Sequence, residues 1–330
     1  MNTCKLTTHS SSHAAAGFSL VEMMISITLG MLIIAALVGV LISNSRNAKS
    51  NDRSTEVQSN GRYALDHLQR ELRHAGYRGY TWSEPSTPIT AITPISNECL
   101  GASAAAGSFV TNLRQGIWGA NDSNPYSGSC LNAGYIRGDV LVIRHVANSP
   151  LTTSTTNGTF YFRSSYAVGE IFKGNGAAPL AGAPTLTGAP TPQADFQLQE
   201  YVYYIGSDDN DATIPALRRR ALVGSGMADE MVASGIEQIQ VQYGRLDTAL
   251  NTRYFNANGI SGSSTDTLFT ATSYAWDEVN SARIWLLARS AKIENGYSDT
   301  RSYAMGDISY GPMNDSFRRQ LFTAVIQLRN

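Results

Sequence analysis

Residues 17–42 read GFSLVEMMISITLGMLIIAALVGVLI, and between Phe18 and Ile42 they hold one ionisable side chain, Glu22, and no proline. An apolar run of 25 residues predicts a membrane-spanning helix. At 1.5 Å per residue it would measure roughly 37 Å, more than the hydrocarbon thickness, so its ends reach the headgroup regions. Glu22 is the anomaly. An acid within a membrane helix costs up to about 3 kcal/mol unless a cation or a hydrogen-bond donor meets it, and a plain anchor has no use for one.

Upstream, residues 1–17, MNTCKLTTHSSSHAAAG, are hydrophilic and end in Gly17. A secretory signal places its cleavage site after the apolar run. Here the small residue precedes that run, so cleavage after Gly17 would retain the helix. The segment Gly17-Phe18-Ser19-Leu20-Val21-Glu22 resembles the type III leader of type IV prepilins and of the pseudopilins of type II secretion. The resemblance implies that prepilin peptidase cuts between Gly17 and Phe18 and methylates the new amine of Phe18, and that Glu22 serves subunit assembly. Cutting there creates a cation on Phe18, which a neighbouring subunit could bring to Glu22. Desolvation offsets much of such an attraction, so register specificity is expected more than net stability. Lys5 is the only Lys or Arg of the leader, against Arg46, Lys49 and Arg53 beyond the run. A charge count alone therefore opposes an outward globular part, and the cleavage pattern is the more specific signal.

Beyond Ile42, Val57, Gly61, Ala64, Leu65, Leu68, Leu72 and Ala75 recur at spacings of three and four, with Arg62, Asp66, Gln69, Arg70 and Arg73 between them. This predicts a continuing amphipathic helix with Gly76 as its stop. The stretches Asn60–Leu65 and Leu72–Gly79 are similar to the corresponding part of the PilW minor-pilin family. Further on, β-rich or alternating runs are expected at Asp139–Val146, Thr159–Arg163, Tyr201–Ile205, Ala216–Val223, Ile236–Tyr243, Arg283–Arg289 and Gln320–Leu328, separated by Gly, Asn, Asp and Pro clusters. Several resemble PilW proteins again: Gly138–Arg144, Ile239–Gly244, Ala282–Ser290 and the ending Phe322–Asn330. Residues 81–135 read as long loops with one short element near Phe109–Trp118, and the Pro-rich stretch Ala178–Pro192 as an exposed loop.

Composition excludes other classes. Lys plus Arg total 25 against Asp plus Glu 26, without a long block of one sign, so capture of nucleic acid is not expected. The three cysteines, Cys4, Cys99 and Cys130, are too few and scattered for a zinc ribbon or iron–sulfur cluster. Cys4 would leave with the leader. In the oxidising periplasm that the resemblance implies, Cys99 and Cys130 would pair, whereas in a reducing compartment they would be two buried thiols.

Enzyme motifs are wanting. His9 and His13 lie in the leader, and His67 and His74 stand about 10.5 Å apart along a helix axis, too far to share a metal without other ligands. Both are expected to pack or face solvent, and His145 to lie in a strand. No H-E-x-x-H or G-x-S-x-G occurs, and Gly169–Gly174 has P-loop glycine spacing with Asn175 where the lysine belongs. Asp208, Asp209 and Asp211 lack the later glutamate of an EF-hand and read as a solvated loop. Arg218–Arg220 read as charge along an edge strand, guarding it against pairing.

The expectation is an α+β, pilin-like fold, with a long N-terminal helical spine packed on an antiparallel β-rich domain. Residues 1–17 would be the cleaved leader, 18–42 the transmembrane and assembly half of the helix, 43–76 its amphipathic half, and 77–330 the periplasmic domain. By resemblance the chain is a non-enzymatic minor pilin of a type IV pilus, without cofactor or metal, at the tip or in an assembly-priming complex. Its partners would be prepilin peptidase, other minor pilins, the major pilin and a tip adhesin. Its place would be the inner membrane and then the pilus, serving adhesion or twitching motility. The alternatives are a J-type pseudopilin of type II secretion and, more remotely, a membrane-anchored periplasmic enzyme or ligand-binding protein.

Overall fold

The structure is a computed structural model, and it describes residues 17–81, 94–126, 130–131, 134–180, 192–247, 249–260 and 275–328. The leader up to Ala16, with Cys4, His9 and His13, lies outside the described residues, as do 181–191 of the Pro-rich stretch and the last two residues of the PilW-like ending.

One helix, α1, runs from Leu20 to His74. The chain divides into two compact units within it, Met1–Asp52 and Arg53–Asn330. In the first unit the apolar side chains are exposed throughout, from Phe18 and Leu20 to Leu41 and Ile42. It supplies the one helix long and apolar enough to cross a membrane among the described residues. In the second unit Val57, Gly61, Ala64, Leu68 and Leu72 are buried, which is the predicted three-and-four stripe. The helix ends at His74, and Gly76 follows with φ 80°, a left-handed conformation that favours glycine.

The rest of the second unit is antiparallel sheet. After a short helix α2 (Ser108–Thr111) come β1 (Ile117–Ala120), β2 (Arg137–Val146), β3 (Phe160–Ser164), β4 (Gly169–Lys173), β5 (Ala194–Ser207), β6 (Pro215–Val223), β7 (Gly226–Ser234), β8 (Ile236–Leu246) and β9 (Thr252–Phe255). They are followed by β10 (Ser281–Arg289), β11 (Tyr303–Met305), β12 (Ile308–Tyr310) and β13 (Arg319–Gln327). The strands β1 to β7 form a seven-stranded sheet in which β5 pairs with β2, β3 and β6. A four-stranded sheet has the order β13-β10-β8-β9, and β11 with β12 makes a separate hairpin.

Alternation along β2 and β5 explains how one sheet serves two cores. Leu141, Ile143, Tyr203 and Ile205 join Leu68 and Leu72 of α1 and the inner residues of β8, β10 and β13 in the larger core. Their neighbours Val140, Val142, Val202 and Tyr204 face a second core with Phe109, Val110, Leu131 and the two cysteines. Burial on both faces explains why β2 is continuously buried from Gly138 to Val146. The chain crossing is close at Gly116, where a Cβ would stand 2.4 Å from the backbone of Gly76. Only glycine fits there, because backbone cannot yield as a side chain can.

The predicted strands are all present, and the differences lie in what was not foreseen: β1, β4, β7, β9, β11 and β12. Gly169–Lys173, whose glycine spacing is that of a phosphate loop, is the strand β4. The reading of Arg218–Arg220 as edge protection is corrected, because β6 is paired on both sides, with β5 and β7. Its arginines are cross-strand partners instead. Arg218 donates to Asp209 at 2.6 Å and to Asp229 at 2.7 Å, and Arg219 to Glu230 at 2.8 Å.

One buried cation ties the four-stranded sheet to the 299–315 segment. Arg319 of β13 donates to both oxygens of Asp315, at 2.6 and 2.7 Å, to Asp299 at 3.3 Å, and to both oxygens of Glu237 on β8. Hydrogen bonds from Arg319 hold Asp315 below its ordinary value. Burial alone would raise Asp299, but Arg301 and Tyr303 donate to it and hold it below its ordinary value too. A carboxylate with a depressed folded pKa contributes stability that is present above its unfolded value near 3.9 and lost as pH falls through the folded value. The expected outcome is a urea midpoint that drops as pH is lowered below about 4. Replacing Arg319 by Met should cost roughly 3–5 kcal/mol near neutral pH, since it strands buried carboxylates. Urea titrations of the two proteins across pH check both points.

Candidate functional site

The residues singled out at the N-terminus sit where α1 begins. Gly17 has open space around it, and Phe18 is 86% exposed. Ser19 precedes the first helical residue, and its backbone N–H donates to Glu22 Oε2 at 3.3 Å. Ser-x-x-Glu is the sequence of a capping box, in which the acid of the third helical position reaches back to the amide of the cap. Sequence reasoning missed this, although Ser19-Leu20-Val21-Glu22 spells it. Glu22 also lies in the first turn, where the helix dipole favours a negative charge. Its backbone carbonyl accepts from Ser26 Oγ at 2.7 Å. The carboxylate thus has a local partner and an exposed position at once.

Cys99 and Cys130 form a disulfide across a separation of 31 residues, with Cα atoms 4.9 Å apart. Both are buried, within the second core. Beside Cys99, Glu98 accepts the amides of Gly107 and Phe109, at 2.9 and 3.1 Å, and so holds the start of α2. This staple fixes a segment otherwise poor in regular structure.

The histidines pack between α1 and the large sheet. His67 lies 3.0 Å from the Tyr203 hydroxyl, and burial lowers its pKa. His145 Nε2 is 3.1 Å from Glu71, and its ring is 5.7 Å from that of His74. Burial alone would raise Glu71, but the His145 hydrogen bond holds it below its ordinary value. Among the described residues no group of three or more His, Cys, Asp or Glu is arranged to hold a metal. Asp211 accepts from Thr213 and Asp208 from the Asn210 amide, the local bonds of an Asx-type turn, while Asp209 pairs with Arg218.

Comparison with known proteins bears on both ends of the chain. Residues 12–38 match the family model of the prokaryotic N-terminal methylation motif. That match takes in Gly17, Phe18 and Glu22 and the first part of α1. Residues 202–330, from the middle of β5 to the C-terminus, match the family described as type IV pilus-assembly protein W. This part of the chain, somewhat over a third of it, is thus similar to that family. A type IV-like pilin from Thermus thermophilus is 15% identical, over 84% of this chain and 95% of that one, with a TM-score of 0.31, too low to support any inference. No curated protein matches the chain.

The disulfide closes a long loop and constrains the unfolded chain. A Cys99→Ala/Cys130→Ala variant is expected to lose roughly 3–4 kcal/mol of unfolding free energy. Urea unfolding with and without reductant checks this: reductant should lower the wild-type midpoint and leave that of the variant unchanged.

Proposed function

We propose that the protein is a non-enzymatic minor pilin that prepilin peptidase cleaves after Gly17 and methylates on Phe18. It is held in the inner membrane by residues 18–42, with the domain from residue 77 onward in the periplasm. From there it enters a type IV pilus at the tip or within the complex that primes assembly. The reading rests on one observation above all: the apolar segment 18–42, none of it buried, follows Gly17 directly and carries its single acid in the first turn of α1. A helix exposed in this way requires lipid or other subunits around it. The methylation motif and the buried disulfide support the processing and the oxidising compartment.

The role of Glu22 is that of an assembly key. A neighbouring subunit's Phe18 amine, made cationic by cleavage, would meet a carboxylate already oriented by Ser19. Partners follow from this chemistry: the peptidase, other minor pilins and the major pilin, with an adhesin at the tip as a further contact of the domain.

Two measurements test the reading. The mass of the N-terminal peptide from membranes should correspond to a chain beginning at N-methylated Phe18, and an intact leader in cells with active peptidase would overturn it. A deletion strain should lose pili or twitching while secreting exoproteins normally; intact pili with failed secretion would favour the J-type pseudopilin instead.

Substitution at Glu22 separates capping from docking. Glu22→Ala removes both, whereas Glu22→Gln keeps an acceptor for the Ser19 amide and removes the charge. Both variants should be processed normally, and both should appear in sheared pili at a small fraction of the wild-type level. Wild-type incorporation of Glu22→Gln would show that the charge is not what docks.

A further inference from the structure

Beneath the disulfide-held segment lies a cavity of about 240 Å³, with Phe109, Trp118, Tyr126 and Arg144 in its wall and Ala104 and Gly101 at its rim. Tyr126 touches both other rings: Phe109 lies edge-on and Trp118 tilted to it, with centroids 6.3 and 6.1 Å away. A cavity of about 150 Å³ holds benzene, so this one has room for a ring and a substituent.

Arg144, from β2, is 5% exposed. Its Nε donates to the Phe109 carbonyl and its Nη1 to the Gln115 carbonyl, each at 3.1 Å, and its guanidinium lies 4.4 Å from the Phe109 ring centroid. Among the described residues no carboxylate hydrogen-bonds to it. Two neutral carbonyls orient this cation without neutralising it.

Among the described residues the acid opposite makes no hydrogen bond to it either. Glu200 is the Cα partner of Arg144 across β2 and β5, is fully buried, and has, among the described residues, no hydrogen bond to either carboxylate oxygen. Burial pushes its carboxyl up to about 8, the pull of Arg144 notwithstanding, and Glu98 adds to the rise. Glu98 itself is engaged by the amides at the start of α2. The Tyr126 hydroxyl is a further buried group without a hydrogen-bond partner among the described residues. An oriented cation and an unmatched hydroxyl in an aromatic wall are the features of a ligand site, since buried polar groups are otherwise satisfied.

We propose that this cavity binds a small aromatic carboxylate, its ring among Phe109, Trp118 and Tyr126 and its carboxylate on Arg144. Charge-assisted hydrogen bonding to the guanidinium would select the anion, and the rings would select a flat body. The site is separate from the N-terminal assembly segment and gives the domain a ligand-dependent property that pilus assembly does not require.

The test uses the full chain in detergent micelles with 4-fluorobenzoate as probe, followed by fluorine NMR. Saturable broadening of the probe signal is expected. Ala104→Trp, at an exposed rim position, should weaken binding at least tenfold and leave the thermal midpoint unchanged. If that variant shifts the midpoint, Gly101→Phe at the same rim takes its place. 4-Fluorobenzyl alcohol and 4-fluorobenzylamine should each bind at least tenfold more weakly than the acid. No saturable binding of the acid, binding undiminished by the rim variants, or an amine bound as well as the acid would each overturn the proposal.

Discussion

The stripe from Val57 to Leu72 is the constraint on which the second unit is built. These small and aliphatic residues recur every three or four positions, so one face of α1 can enter the core shared by both sheets. Gly61 shows how close the approach is, since a Cβ there would stand 2.1 Å from the Phe322 ring. Without the helix, Leu141, Ile143, Tyr203 and Ile205 would lose Leu68 and Leu72 as partners on that face of the large sheet. The same helix continues toward Leu20 with apolar residues on every side, none of them buried. One element of secondary structure thus serves two solvents, protein interior and apolar surroundings, and its change of pattern marks where one gives way to the other.

Much of this was legible because the signals are periodic or compositional. The apolar run needs only counting, and the stripe of α1 needs only a period of 3.6. The strands β2, β8 and β10 announce themselves by Val, Ile and Leu in short runs between turn residues. What escaped was made by pairing rather than by local preference. The β7 sequence, GMADEMVAS, contains mostly residues that favour helix, and it is a strand because β6 holds it in register. Arg218 and Arg219 were misread for the same reason: a basic run looks like edge protection until Asp229 and Glu230 are brought opposite it by the turn at Gly224. The register could not be read from either strand alone. The capping box at Ser19, in contrast, was in plain view and was overlooked because Glu22 already had an explanation.

The polar groups inside the domain fall into two kinds, and the difference lies in their donors. Arg163 and Asp195 meet directly, at 2.7 and 2.9 Å, and Arg319 satisfies three acids. Such arrangements orient strands and segments, and they are costly to break more than they are stabilising to make. Arg144 and Glu200 are side by side on neighbouring strands without a hydrogen bond between them. Packing alone does not account for a pair of that sort, because two apolar residues would fill the place at less cost.

The same contrast sharpens the meaning of Glu22. A carboxylate in an apolar helix must either lose its charge or be met by donors. Ser19 supplies one donor from the backbone, and the helix dipole adds a favourable field at the N-terminal turn. Both orient the side chain, and neither is a cation. A cation that arrives on another chain completes it without first displacing a partner of equal strength. On the proposed function, the start of α1 would therefore supply one side of a contact whose other side a second subunit brings.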